Sequence, residues 1–258
     1  MKKIVALLMA TLMVATLLAG CSSKTEDWAY IEDKGTLVIG ITLYEPMNYY
    51  DEEGNLTGFD TEFAEAVCEK LGVEPEFVEI NWDTKFVTLD SKKIDCIWNG
   101  MTISEEVKKN CDVSLAYVKN AQVVVMAKDK MKKYKDAESM KGLKFTAEAG
   151  SAGETAIKDN GLDGKYAPVA TQSDALLAVA GGQADACVID ITMAKSMTAP
   201  GTSYEKLGFS VELTSEEYGI GFRKGSDLTE KVNKAIEELK ADGTLDKLAE
   251  KYGLNLAL

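Results

Sequence analysis

The chain has 258 residues, with 29 lysines and arginines against 42 aspartates and glutamates and no histidine. The formal net charge of −13 argues against a nucleic-acid partner, because phosphate contacts need a basic face. A hydrophobic fraction of 46% with 4 prolines is globular composition and excludes the disordered and fibrous classes. Without histidine the chain lacks the commonest general base and the usual zinc ligand. We therefore expect no enzymatic activity, no metal and no cofactor.

The N-terminus has the pattern of an export signal. A basic start precedes an apolar run that ends in Leu-Ala-Gly-Cys at residues 18–21. This ending resembles a bacterial lipobox, in which cleavage leaves a lipid-modified N-terminal Cys21; an ordinary signal peptide or an uncleaved anchor is the alternative. We predict a signal peptide over 1–20, a lipidated tether over 21–35, and a body attached to the extracytoplasmic face of the cell membrane.

The other cysteines are not spaced like metal or redox motifs, because they form no CxxC pair. Most of them lie within apolar runs, where a free cysteine behaves as a small hydrophobe. We predict that most are buried thiols. They are Cys68, Cys96, Cys111 and Cys187.

The body begins with Thr36–Ile41, an apolar run typical of a buried strand. Asp60 is predicted to cap a helix that stops at Gly72. Further strands are predicted at 76–80, 94–98, 122–127, 143–147, 186–189 and 219–222, and helices at 83–91, from 154, at 173–181 and from 226–227 to 243.

This alternation of strands and helices predicts mostly parallel sheets covered by helices. The rhythm restarts after 122–127, and the chain crosses back near 216–222. Two α/β lobes joined by a double-strand hinge are therefore expected.

Several short phrases carry a family resemblance. They are Gly58–Asp60, Trp82-Asp83, Lys92–Asp95, Asn99–Ser104, Ala149–Gly153, Asp185–Asp190 and Gly219–Gly225. Their order and their spread over residues 36–253 resemble the bacterial extracellular solute-binding proteins for polar amino acids (family 3), the receptors of ABC importers.

The resemblance implies a type II periplasmic-binding-protein-like fold, with 36–122 and 217–258 in one lobe and 123–216 in the other. It also implies a monomer whose cleft closes on one small amino-acid-like ligand and delivers it to an ABC permease. The alternative is a membrane-tethered sensory domain that takes no part in transport.

The same resemblance assigns the ligand contacts. Asp190 matches the aspartate that binds the ligand's ammonium, and capping of the following helix is the alternative role. Aromatic faces that pack on the ligand's side chain correspond to Tyr44 and Trp82, with Met47 as a weaker candidate nearby. Residues that match the head-group contacts are Asn99, Gly100, Thr102, Ser151 and Ala152.

The sequence departs from the family at Val107, where an arginine usually clamps the ligand's carboxylate. The only arginine of the chain, Arg223, belongs to a different phrase. Either helix N-termini and a lysine, for which Lys85 is the candidate, hold the carboxylate, or the ligand is an amine, a peptide or a derivative without a free α-carboxylate. We favour an amino acid or a close derivative, because the rest of the head-group segment is retained.

Overall fold

The computed structural model describes residues 26–258, so the predicted signal peptide and Cys21 lie outside the described residues. Within this range, no helix combines the length and the apolar character that crossing a bilayer requires.

The described strands and helices alternate along the chain. The strands are β1 (Thr36–Ile41), β2 (Tyr49–Tyr50), β3 (Leu56–Thr57), β4 (Glu74–Glu79), β5 (Cys96–Thr102), β6 (Asp112–Val113), β7 (Val118–Asn120), β8 (Gln122–Ala127), β9 (Phe145–Glu148), β10 (Tyr166–Val169), β11 (Ala186–Asp190), β12 (Leu207–Glu212) and β13 (Glu216–Phe222). The helices are α1 (Asp27–Lys34), α2 (Phe59–Leu71), α3 (Lys85–Asp90), α4 (Glu105–Asn110), α5 (Ala152–Asp159), α6 (Gln172–Ala180), α7 (Ile191–Met197), α8 (Leu228–Ala241) and α9 (Thr244–Tyr252).

Two sheets form the cores of two lobes. The first has the order β4-β1-β5-β13-β6, with β7 also paired to β13, and the second has the order β10-β9-β11-β8-β12. In the first sheet β1 runs parallel to β4 and β5, and in the second β9 runs parallel to β10 and β11. This is the two-lobed α/β architecture that the sequence predicts.

The chain crosses between the sheets twice. It passes from β7 to β8 through Ala121, and it returns from β12 to β13 through residues 213–215. Both crossing strands enter antiparallel to a neighbour, β8 beside β11 and β13 beside β5. The double hinge therefore lies next to the carboxyl ends of β5 and β11.

The predicted cap at Asp60 is wrong. Helix α2 begins at Phe59 after Gly58, and no side chain caps it. The Asp60 carboxylate instead points into the lobe, where Oδ2 accepts from the N–H of Gly100 at 2.6 Å and from the hydroxyl of Tyr117 at 3.1 Å. Burial raises the pKa of Asp60 to about 7. Asp60 thus ties α2 to β5.

The predicted tether over 21–35 is too long, because Asp27–Lys34 is helix α1. Asp27 is buried and accepts from Arg223 Nε at 2.9 Å and from Ser226 Oγ at 2.8 Å. Arg223 also pairs with Asp95 at 3.3 Å. These contacts hold α1 on the first lobe and keep the only arginine of the sequence in the lobe interior, away from the interlobe cavity.

Several elements were not predicted from the sequence. The segment that contains Asn99 and Gly100 was expected to be a loop, yet it belongs to the seven-residue strand β5. The final helix α9 follows Gly243, which was expected to end the helical region. Strands β6, β7, β10 and β12 were also missed.

The cysteine prediction is confirmed. The four cysteines of the described residues are free, and each of them is buried.

Candidate functional site: the interlobe cavity

A cavity of about 460 Å³ lies between the lobes, at the carboxyl ends of their parallel strands. Open α/β sheets bind ligands at this edge. Nine of the residues that the sequence singled out line it: Trp82, Lys85, Asn99, Gly100, Thr102, Val107, Ser151, Ala152 and Asp190.

Tyr44 and Met47 do not line this cavity. Both are buried in the first lobe, with 3% and 0% of their surface exposed. A Cβ atom on Gly100, whose φ is +51°, would lie 1.7 Å from the Tyr44 hydroxyl. Tyr44 therefore supports β5 from behind and requires glycine at position 100.

Asp190 ends β11 and is 5% exposed. It occupies the N-cap position of α7, but its side chain makes no capping hydrogen bond. Its carboxylate accepts instead from the side-chain amides of Gln172, Asn120 and Gln122, the last at 2.8 Å. Burial and the charge of Glu216 raise its pKa to about 6. Asp190 is thus a fixed, solvent-protected carboxylate at the cavity wall.

Glu216, the first residue of β13, shares these amides at the hinge. Its Oε1 accepts from Asn120 Nδ2 and Gln122 Nε2, each at 2.7 Å, and from Thr102 Oγ1 at 2.7 Å. Two amides therefore bridge two carboxylates at the hinge, one at the end of β11 in the second sheet and one at the start of β13 in the first sheet.

Glu148 ends β9 and is 2% exposed. Its Oε1 is buried and has no hydrogen-bond partner within residues 26–258. Burial, and after it the charge of Asp190, raises the pKa of Glu148 to about 8, while Lys85 opposes the shift. A second carboxylate of the second lobe therefore lines the cavity without a partner of its own.

On the first-lobe wall, the predicted head-group residues already make hydrogen bonds to the protein. Asn99 Nδ2 donates to the Thr42 carbonyl and to Asn48 Oδ1, both at 2.7 Å, and its Oδ1 accepts from Thr42 Oγ1 at 2.5 Å. The Gly100 N–H donates to Asp60. The N–H that the resemblance would assign to the ligand at Gly100 is thus engaged.

Trp82 and Lys85 stand where the two lobes approach each other. Lys85 is 5% exposed, and its Nζ lies 4.9 Å from the centre of the Trp82 ring. The same Nζ donates to the Trp82 carbonyl at 3.2 Å and, across the cleft, to the Gly150 carbonyl at 2.9 Å. Burial lowers the pKa of Lys85. Its position favours a link between the lobes over a free cation that awaits an anion.

Val107 packs in the apolar cluster that contains Trp82, Leu89 and Met101, and it also lines the cavity. The nearby helix starts are capped from within: Ser104 Oγ accepts from the Val107 N–H, and Ser151 Oγ accepts from the Glu154 N–H, each at 3.1 Å. The cavity wall therefore presents a methyl surface where a guanidinium would stand.

Comparisons with known proteins agree with this geometry. The sequence pattern of the bacterial extracellular solute-binding proteins, family 3, matches residues 37–255. The chain belongs to this family.

Among its relatives, the L-cystine-binding protein TcyJ of Escherichia coli (strain K12) is 34% identical over 250 residues, which cover 93% of this chain and 92% of the relative. A solved mutant of ArgBP from T. maritima superposes with a TM-score of 0.81 at 36% identity, over 87% of this chain and 97% of that one. An ABC uptake transporter substrate binding protein from Streptococcus pneumoniae with bound histidine gives 0.82 at 29% identity, over 89% and 97%.

Four polar residues that line the cavity of this family 3 solute-binding protein were not predicted from the sequence: Gln122, Glu148, Gln172 and Glu216. Acidic residues near the hinge are typical of solvated surface, and Glu148 lies just outside the family phrase Ala149–Gly153. A usable signal was available, because Glu148 directly precedes Ala149–Gly153 at the carboxyl end of a predicted strand.

Proposed function

We propose that this protein is the receptor of an ABC importer and that it binds an amino acid or a close derivative in the interlobe cavity, with the ligand's ammonium on Asp190. The buried Asp190 carboxylate carries the proposal. Three side-chain amides orient it, and no lysine or arginine within residues 26–258 forms an ion pair with it. An ammonium is the partner that a buried carboxylate lacks.

The rest of the cavity supports this assignment. Trp82 offers an aromatic face, and the ligand can be enclosed between the lobes, which move about Ala121 and residues 213–215. The lobes are 36–122 with 217–258, and 123–216. TcyJ and the histidine-bound streptococcal protein carry names of amino-acid ligands.

We further propose that Cys21 carries the lipid that holds the receptor at the membrane. The lipobox-like residues 18–21 support this assignment. Metabolic labelling with an alkyne fatty acid should mark the wild-type protein and leave Cys21→Ser unmarked; equal labelling of both would contradict it.

The binding role is tested by calorimetry on the wild type and on Asp190→Asn, with the common amino acids as probes. Removing one charge from a buried pair costs about 3–5 kcal/mol, so affinity should fall by two to three decades or more. Asp185→Asn is the matched control, because Asp185 lies outside the cavity lining. Retained affinity in Asp190→Asn, with an unchanged melting temperature, would remove Asp190 from the site.

A further inference from the structure

The charges that line the cavity are strongly unbalanced. Lys85 is its only cation among the described lining residues, and its Nζ already donates to two carbonyl oxygens. Six acidic residues line the same space: Glu105, Glu106, Glu148, Asp159, Asp190 and Glu216. Such a cavity attracts cations and disfavours anions.

The buried carboxylates are not equivalent. Glu216 accepts from three donors through Oε1 and from Thr214 through Oε2, and Asp190 accepts from three amides. Glu148, although 2% exposed, has a buried Oε1 without any partner among residues 26–258. A buried polar group that the protein leaves unsatisfied is costly, so its partner is expected from the ligand.

Glu148 is also placed for a second contact with one small molecule. Strands β9 and β11 are parallel neighbours, with Phe145 beside Ala186 and Thr146 beside Cys187. Continuing this register places Glu148 beside Ile189, one residue before Asp190, so both carboxyls come at the carboxyl ends of neighbouring strands and line the cavity. They are close enough for the charge of Asp190 to raise the pKa of Glu148. A short chain with a cationic nitrogen at each end can therefore meet both.

We propose that the cavity selects a ligand with two cationic nitrogens, the first held by Asp190 and the second by Glu148. This inference rests on the proposed function and names its substrate class. Val107 agrees with it: a guanidinium there would add a positive charge to a cavity that binds positive ligands, whereas a methyl surface does not repel them.

Two kinds of molecule carry this chemistry, namely a basic amino acid and a diamine. They differ in the α-carboxylate, and they can be separated by matched probes. L-lysine and cadaverine share a carbon chain and differ in the carboxylate, whereas L-norleucine and L-citrulline keep the carboxylate but lack the second charge of L-lysine and L-arginine.

The experiment is calorimetry on the full protein with these probes at neutral pH, for the wild type, Glu148→Gln and the control Glu138→Gln. The Glu138 side chain is 79% exposed, pairs with Lys141 and lies outside the cavity lining, so its removal should change affinities less than about threefold. The wild type should bind L-lysine or L-arginine, or cadaverine, at least about 30-fold more tightly than the neutral probes. Glu148→Gln should lose most of this preference and melt no lower than the wild type.

The outcomes are distinct. Tight L-lysine with weak cadaverine supports a basic amino acid, and the reverse supports a diamine. If norleucine or citrulline binds the wild type as tightly as the basic probes, or if Glu148→Gln keeps the preference, the inference is wrong while the amino-acid receptor stands. If none of these probes binds at millimolar concentration, the dicationic ligand is ruled out, and the receptor proposal is decided by the titrations with the common amino acids.

Discussion

The first-lobe wall and the second-lobe wall of the cavity both place polar side chains at the carboxyl ends of parallel strands, but they use them differently. On the first-lobe wall, Asn99 and the N–H of Gly100 bond to the protein itself. On the second-lobe wall, Glu148 has an unpartnered oxygen, and Asp190 is oriented by amides without a cation. The first wall therefore stabilises its lobe, and the second holds the buried carboxylates to which we propose that the ligand binds.

The largest expected effect on stability is at Asn99, on the first-lobe wall. Asn99→Ala leaves Asn48, the Thr42 carbonyl and the Thr42 hydroxyl without their buried partner, which should cost about 3 kcal/mol of unfolding free energy. A fall of roughly 6–12 °C in melting temperature follows for a domain of this size. The affinity of the folded fraction should fall less than about tenfold, because the ligand's charge sits on the other wall.

Calorimetric scanning and binding on the same sample check this pair of results. Asn110→Ala serves as the control, since Asn110 is exposed and bonds only to the Glu106 carbonyl. A binding loss that exceeds the stability loss would reverse the roles of the walls.

The second wall should show the opposite behaviour at Glu148. The pKa of this carboxyl is raised to about 8 in the folded protein. The stability of the fold is therefore greatest at low pH, where the carboxyl is protonated, and it falls as the pH rises toward 8. Asp190 and Asp174 face it with like charge, and Lys85 faces it with opposite charge. Glu148→Gln should therefore raise the melting temperature of the free protein by several degrees at pH 8.5 and hardly at pH 5.

Thermal denaturation across this pH range measures the effect, with Glu138→Gln, outside the cavity lining, as the control. The same carboxyl predicts that binding of L-lysine at pH 7 releases protons, because a paired cation favours the ionised form. Calorimetry in buffers of different ionisation enthalpy detects that release. A Glu148→Gln stability gain that is equal at both pH values would refute the assignment.

A substitution at Val107 tests whether the first-lobe wall can be made to bind the ligand's carboxylate. Val107→Arg gives that wall a guanidinium that can hold a carboxylate bidentately, so L-lysine should gain on cadaverine by about tenfold, or 1.4 kcal/mol. The ratio of the two dissociation constants, with Val107→Leu as the size control, isolates this change. An unchanged ratio would mean that the ligand's carboxylate, where there is one, lies elsewhere.

Lys85 gives the smallest expected effect. Lys85→Met keeps the apolar contact with Trp82 but removes the interlobe hydrogen bond to Gly150, which is worth about 1 kcal/mol. Small-angle scattering should show a slightly larger radius of gyration for ligand-free Lys85→Met than for the ligand-free wild type. With saturating ligand the two proteins should have the same radius. Lys93→Met, at an exposed position, is the matched control. An equal radius for all three proteins would contradict an interlobe role.

The sequence predicted the lobes well because hydrophobic alternation and family phrases record the buried strands; the strand Thr36–Ile41 was predicted to the residue. It mistook Asp60 for a cap, because local spacing does not reveal that a carboxylate bonds to Gly100, 40 residues away. It missed Glu148, since its lack of a partner depends on the distant segments that surround it. Local pattern predicts elements, whereas charge pairing is a property of the assembled lobes.

The amide bridge at the hinge has a mechanical consequence. Asp190 ends a strand of one sheet and Glu216 begins the strand that returns to the other, so their like charges repel each other at the hinge. Asn120 and Gln122 soften this repulsion with neutral dipoles. In the proposed binding mode a positive charge beside Asp190 would remove more of this repulsion than an amide can, so a bound ligand would change the electrostatics of the hinge as well as fill the cavity.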